Sequence, residues 1–190
     1  MIYECIVNRR SIRKFKQNPV PREILIKCVD AARLSPSGTN RQPIKYIIVD
    51  DKSLLSEVFN TITWARNIPG FKHASDEVPV AYIVVLLDTK IRDQPGHDAG
   101  IASMSISMTA YEEGVASCIL GSVDRPKLAN ILTIAGHLQI LLVVALGYPA
   151  EKSKAVELKG ADTRYWYDGD GILNIPKRSF KDVATWNNNK

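Results

Sequence analysis

The chain has 190 residues, 45% of them hydrophobic, and 25 Lys plus Arg against 20 Asp plus Glu for a formal net charge of +5. That is the make-up of an ordinary folded domain of single-core size, and it excludes disordered, fibrous and disulfide-stapled classes. The apolar runs at 80–87 and 140–146 fall far short of the roughly 20 residues a membrane span needs, and Arg9-Arg10 arrives before any apolar stretch of a secretory signal. A cytoplasmic protein without a transmembrane helix is expected.

Taken in chain order, 2–9 and 21–34 read as amphipathic helices, the second opened by Pro21 and carrying Ile24, Leu25, Cys28, Val29 and Ala32 at three-four spacing. A polar connector, 10–18, lies between them. The turn-rich stretch Ser35-Pro36-Ser37-Gly38-Thr39-Asn40-Arg41-Gln42-Pro43 precedes a strand at 44–49. A helix is expected over 51–63, broken by Asn67-Ile68-Pro69-Gly70, with a polar candidate lid reaching Glu77. The run 78–87 is β-branched without alternation, so it predicts a strand buried on both faces. The segment 97–113 predicts a helix apolar or small on every side, which demands cover on every side, and Gly114 ends it. Strands follow at 116–120 and 139–146 with a short helix after Asp124, which makes three α/β/α layers around a mixed sheet. The tail 150–190 changes character, with Tyr165-Trp166-Tyr167 and an Asp168-Gly169-Asp170-Gly171 turn. Its aromatics imply that it packs on its own domain or a neighbour's, and the whole chain reads as one domain, 1–190, with this extended C-terminal segment.

The charge is informative by position. Residues 1–50 hold ten Lys or Arg and four Asp or Glu, a balance of +6, and the remainder holds fifteen and sixteen, a balance of −1. Such asymmetry fits a nucleic-acid arm, a membrane-surface helix or a site for one small anion. Within it, Arg9-Arg10-Ser11-Ile12-Arg13 gathers three guanidiniums and a hydroxyl that match the oxygens of a phosphate, although a solvated charge run has the same spelling. In the loop that follows, Ser37, Asn40 and Gln42 present groups that both donate and accept, suited to a heteroaromatic edge or to a purely structural turn. Three cysteines (Cys5, Cys28, Cys118) and three histidines (His73, His97, His137) are scattered without ligand spacing, so no metal site is expected, and Cys118 reads as a buried small hydrophobe.

The two motifs together, R-R-S-x-R and then P-S-x-x-N-x-Q-P ahead of the first strand, resemble the FMN-dependent nitroreductase family. So do the small-residue helix ending at Glu113-Gly114, the strand into Leu120-Gly121, and Leu146-Gly147-Tyr148-Pro149, and the similarity covers nearly the whole chain. The resemblance implies an α+β, three-layer fold with a mixed, mainly antiparallel central sheet, and an intertwined homodimer with FMN at the interface. By resemblance, Arg9, Arg10, Ser11 and Arg13 would hold the FMN phosphate and ribityl chain. Asn40 and Gln42 would face the ring or ribityl hydroxyls, Ser37 would come from the neighbouring subunit, and the backbone N–H groups of Leu120 and Gly121 would address the flavin. The family's basic residue near the C-terminus corresponds to Lys177 or Arg178, displaced by an inserted segment, with Lys154 and Lys159 as rivals. The implied activity is electron transfer from NADH or NADPH through FMN to nitroaromatic or quinone-like acceptors in a ping-pong pattern, with no catalytic side chain because the chemistry is the flavin's. Reductive dehalogenation or flavin breakdown on the same fold is the alternative, and a flavin protein without turnover is a third reading. A nucleic-acid-binding module lacks support, since the first 50 residues offer only Tyr3, Phe15 and Tyr46 for stacking.

Overall fold

The computed structural model describes residues 2–187, so Asn188 and Asn189 of the terminal asparagine run lie outside the described residues. Its central sheet runs β1(Phe15–Lys16), β5(Leu138–Pro149), β3(Ala81–Asp88), β2(Ile44–Val49), with β4(Ala116–Leu120) also paired to β5. Every named pair in this sheet is antiparallel, and the parallel contact is an isolated bridge from Ser11 to Ser117.

The unbroken apolar run of β3 is explained by its position between β5 and β2, where both faces are covered. Tyr82, Val84 and Leu86 point into one core, which α3(Lys52–Phe59) and α5(Arg125–Ile131) close with Val58 and Leu128. Ala81, Ile83 and Val85 point into the other, closed by α2(Arg22–Arg33) and α4(Asp98–Glu112) through Leu25, Cys28, Ala102 and Ile106. The result is the expected three-layer arrangement. Helix α4 ends as its sequence demands: Gly114 takes φ 73°, and Val115 N–H returns to the Ala110 carbonyl. Its outer side keeps Ile101 38% exposed, while α1(Ile2–Asn8) buries no residue and leaves Ile2, Tyr3 and Ile6 exposed.

Two expectations are corrected, and the tail takes a form that the sequence left open. The connector 10–18 is no mere polar link, because Ile12 and Phe15 enter the core and Phe15 is fully buried within β1. The helix expected over 51–63 stops at Phe59, where Thr61 turns inward and Ile62 bridges to Val123. The tail is a second sheet: β6(Lys152–Glu157) runs parallel to β8(Ile172–Lys177), β7(Trp166–Tyr167) is antiparallel to β8, and α6(Phe180–Val183) follows. Among the described residues no helix is long and apolar enough to cross a membrane.

Candidate anion and cofactor site

The segment Arg9 to Phe15 is fixed through its main chain by four distant parts of the molecule. Ile12 N–H donates to the Ser117 carbonyl on β4 (3.1 Å), and Phe15 N–H donates to the Glu77 carbonyl (2.9 Å). The N–H groups of Arg13 and Lys14 both donate to Oε1 of Glu151, and Ala150 N–H donates to the Lys14 carbonyl at 2.9 Å. The fourth anchor is His73, whose Nε2 lies 2.7 Å from the Arg13 carbonyl. That ring sits among Phe59, Trp64 and Phe71 at centroid distances of 5.0, 4.8 and 4.9 Å, and burial holds its pKa below the usual histidine value. Because a carbonyl can only accept, the bond requires His73 Nε2 to carry the hydrogen and donate it. The segment proposed as a lid is therefore tied at His73, and at Glu77, which pairs with Lys14 at 3.0 Å.

Held this way, the side chains divide. Arg10 closes the C-terminus of α1, its guanidinium donating to the carbonyls of Val7 and Arg9, so it serves the helix end. Arg9 and Arg13 differ: Nε of Arg9 and Nη1 of Arg13 are buried with no hydrogen-bond partner among the described residues, and Ser117 Oγ beside them is in the same condition. Burial, and then the neighbouring Arg10, lowers the Arg9 pKa from its ordinary value, as expected of a partly desolvated cation beside another cation. Unsatisfied buried donors are costly, at about 1–3 kcal/mol each or more when charged, and an anion is the natural remedy. A cavity of about 460 Å³ opens here, lined by Arg9, Arg10, Ile12, Ser117 and Ser153 among others. Above Arg13 lies Tyr165, with the guanidinium 4.6 Å from the ring centroid. Cys118 is buried on the adjoining strand and burial raises its thiol pKa, as for an inert core cysteine.

The second predicted cluster is elsewhere. Ser37, Asn40 and Gln42 form one knot: Gln42 N–H donates to Ser37 Oγ (3.0 Å), and Gln42 Nε2 to Asn40 Oδ1 (3.2 Å). Gly38 N–H donates to Asp98 at 3.0 Å, and Gly38 passes so close to Arg92 that a Cβ there would stand 2.5 Å from its guanidinium. Thr39, Asn40 and Gln42 take φ of 51°, 55° and 53°, a left-handed region that a threonine in particular resists. The knot leads into Ile44, opposite Leu87 and then Gln139 in the sheet, whereas the arginine segment borders Pro149. At roughly 3.4 Å per residue the two clusters sit about 30 Å apart along β5. One chain does not bring them together.

Leu120 ends β4 between those extremes with Gly121 just beyond it, and the Gly121 carbonyl accepts from Arg125 Nη2 at 3.2 Å. Lys177 and Arg178 are exposed at the end of β8 that pairs with Glu157, away from the Lys152 end that adjoins Glu151. The rival Lys154 pairs with Asp168 at 3.2 Å, and Lys159 is exposed. Sequence reasoning passed over Glu151, the residue on which the arginine segment hangs, since a lone glutamate after a strand carries no spacing signal. Of the tail's aromatics, Tyr165 packs on the chain's own Arg13. Among the described residues no group of His, Cys, Asp or Glu could hold a metal ion.

A three-layer α+β protein with unpaired buried guanidinium atoms at one end of its sheet is thus the class defined by fold and site. The model of the Nitroreductase family matches residues 6–148, and the chain belongs to that family. It is 31% identical over 173 residues to an Archaeoglobus fulgidus protein named NADH dehydrogenase/NAD(P)H nitroreductase, covering 85% of this chain and 93% of that one. It is 34% identical over 184 residues to the iodotyrosine deiodinase of Nematostella vectensis, covering 82% and 70%. Among solved structures, a Clostridium difficile FMN-dependent nitroreductase superposes with TM-score 0.70 at 23% identity, covering 98% of this chain and 99% of that one, which extends the likeness of fold through the tail.

Proposed function

We propose that the chain is an FMN-dependent oxidoreductase that moves electrons from NADH or NADPH to a flat, electron-poor acceptor, a nitroaromatic or a quinone, in two alternating half-reactions. The observation that carries this is the pair of buried, unpartnered atoms, Arg9 Nε and Arg13 Nη1, in a family member. Their fit to a phosphate is chemical: buried guanidinium N–H groups without a hydrogen-bond partner, with the hydroxyl of Ser117 lining the same cavity as Arg9. FMN, when bound, supplies the hydride-accepting ring. The chain's own residues bind and orient: Arg9, Arg13 and Ser11 take the phosphate and ribityl end, and the N–H groups of Leu120 and Gly121 face the ring. Arg10 contributes its charge from the helix end, and Lys177 or Arg178, exposed at the far end of β8, would add the tail's basic group only by reaching the site of the partner subunit.

The distance between the two clusters argues for a homodimer, with the Ser37-Asn40-Gln42 knot of one copy completing the arginine site of the other. Because the three side chains are tied together, they would arrive from the same subunit. The exposed apolar residues of α1 and the outer side of α4 would supply the contact surface.

The purified protein should be yellow, release FMN on denaturation, and lose its flavin absorbance on adding NADH or NADPH without air. A colourless protein that takes up no added FMN overturns the proposal. The deiodinase relative favours one second reading, reductive removal of halogen from a halophenol. Halide release from an iodophenol with no turnover of nitroaromatics or quinones would select it.

A further inference from the structure

We propose that Glu151 is a positioning residue for the FMN phosphate: its carboxylate, steadied by Tyr167, holds the Arg13-Lys14 main chain so that the Arg13 guanidinium stays against Tyr165 with its Nη1 free to meet the phosphate. The inference rests on the FMN reading above and goes beyond it to a residue in a segment joining the two sheets. Glu151 stands between β5 and β6, and one of its oxygens accepts both the Arg13 and Lys14 N–H groups. The other accepts the hydroxyl of Tyr167, which is part of β7 in the second sheet. Two residues earlier in the chain, Tyr165 stacks on the Arg13 guanidinium itself. One short strand region therefore secures both the carboxylate that grips the Arg13 backbone and the ring that orients its side chain. The Arg13 carbonyl is taken by His73, so the residue has little backbone freedom left while Nη1 stays unpartnered.

Two opposite effects are in play, and their signs differ. The negative charge of Glu151 lies close to a phosphate-receiving arginine and would weaken anion binding through its field. As the acceptor of two N–H groups it preorganises the cationic loop and would strengthen binding by removing an ordering cost. Glu151→Gln separates them, because an amide carbonyl still accepts the two N–H groups without the charge. Glu151→Ala removes both.

The test is fluorescence titration of the flavin-stripped full-length dimer or monomer, as isolated, with FMN and, separately, with riboflavin, which lacks the phosphate. Glu151→Ala is expected to weaken FMN binding by about tenfold, the size of a lost charge-assisted hydrogen bond, and to leave riboflavin binding within about twofold. Glu151→Gln is expected to bind FMN as tightly as the wild type or more tightly. If Glu151→Ala does not fold, Glu151→Asp, which withdraws the carboxylate by one methylene, should show the same FMN-selective loss. FMN binding unchanged or tighter in the Ala or Asp variant, or FMN and riboflavin weakened in equal proportion, overturns the role of Glu151. A wild-type protein that binds neither flavin overturns the underlying reading instead.

Discussion

The arginine segment and the Ser37–Gln42 knot lie at opposite ends of one sheet and are built on opposite principles. The first is anchored by bonds reaching to residues 73, 77, 117 and 151, carries core side chains at Ile12 and Phe15, and leaves buried cationic atoms unpartnered. The second is exposed at Asn40 and Gln42, tied mainly to itself, and holds three non-glycine residues at positive φ. Buried charge that awaits a counter-ion must be held by many long-range contacts, because its desolvation cost otherwise drives the loop open to water. A loop that completes a neighbour's site has no such cost in isolation, and local strain suffices to keep its shape.

The strongest way to break this contrast is to remove the anchor of the first region. Phe15 is fully buried against Gly147, where an added Cβ would come within 3.0 Å of its ring. Phe15→Ala should cost about 3–5 kcal/mol of stability in urea denaturation and detach the arginine segment from β5. A loss under about 1 kcal/mol would mean the segment does not depend on the core.

Next in size is the charge itself. Arg13→Ala should weaken FMN retention about 10- to 100-fold, the range for a hydrogen bond to a charged group. Lys27→Ala, which removes an exposed pair with Glu113, should leave retention unchanged. Equal retention in both variants would reduce the arginine cluster to a solvated face. For the knot the expected effect is smaller and of the other sign: Thr39→Asn places a residue suited to the left-handed region at φ 51° and should raise thermal stability by up to ~1 kcal/mol. A destabilisation there would show that Thr39 Oγ1, 2.7 Å from the Gly38 carbonyl, matters more than backbone strain.

Much of the scaffold was legible because its signals are local. The β-branched runs of β2 and β3, the small-residue pattern of α4 and the helix stop at Gly114 each depend on spacing within one segment. The arginine motif and the loop motif were legible too, but only as motifs. That Arg10 bonds back onto the end of α1 while Arg9 Nε and Arg13 Nη1 are left without partners depends on where β4 and Glu151 lie, which no spacing encodes. The strand at Phe15–Lys16 is too short for a period, and β6, Lys-Ser-Lys-Ala-Val-Glu, becomes a strand through parallel pairing with β8 across the intervening loop. The helix expected over 51–63 stops at Phe59 because Ile62 finds a partner across the molecule at Val123.

The gentlest test touches the tail that grips the arginine segment. Asp168 accepts from Asn174 Nδ2 (3.0 Å) and Ile172 N–H (2.9 Å), and pairs with Lys154 (3.2 Å), tying the turn between β7 and β8 to both strands of the parallel pair. Those bonds, the Asn174 side chain first, lower its carboxyl pKa to about 2. An unfolded aspartate titrates near 3.9, so the folded form holds the charge more firmly. The stabilisation is present above about pH 4 and is lost as pH falls through the folded value near 2. Amide exchange in 152–157 and 172–177, corrected for intrinsic rates, should accelerate over that window relative to 138–149 in the central sheet. Asp168→Asn should flatten the difference at this site. Uniform acceleration of both sheets in the wild type would mean that the tail and the arginine segment it holds open as one unit with the core.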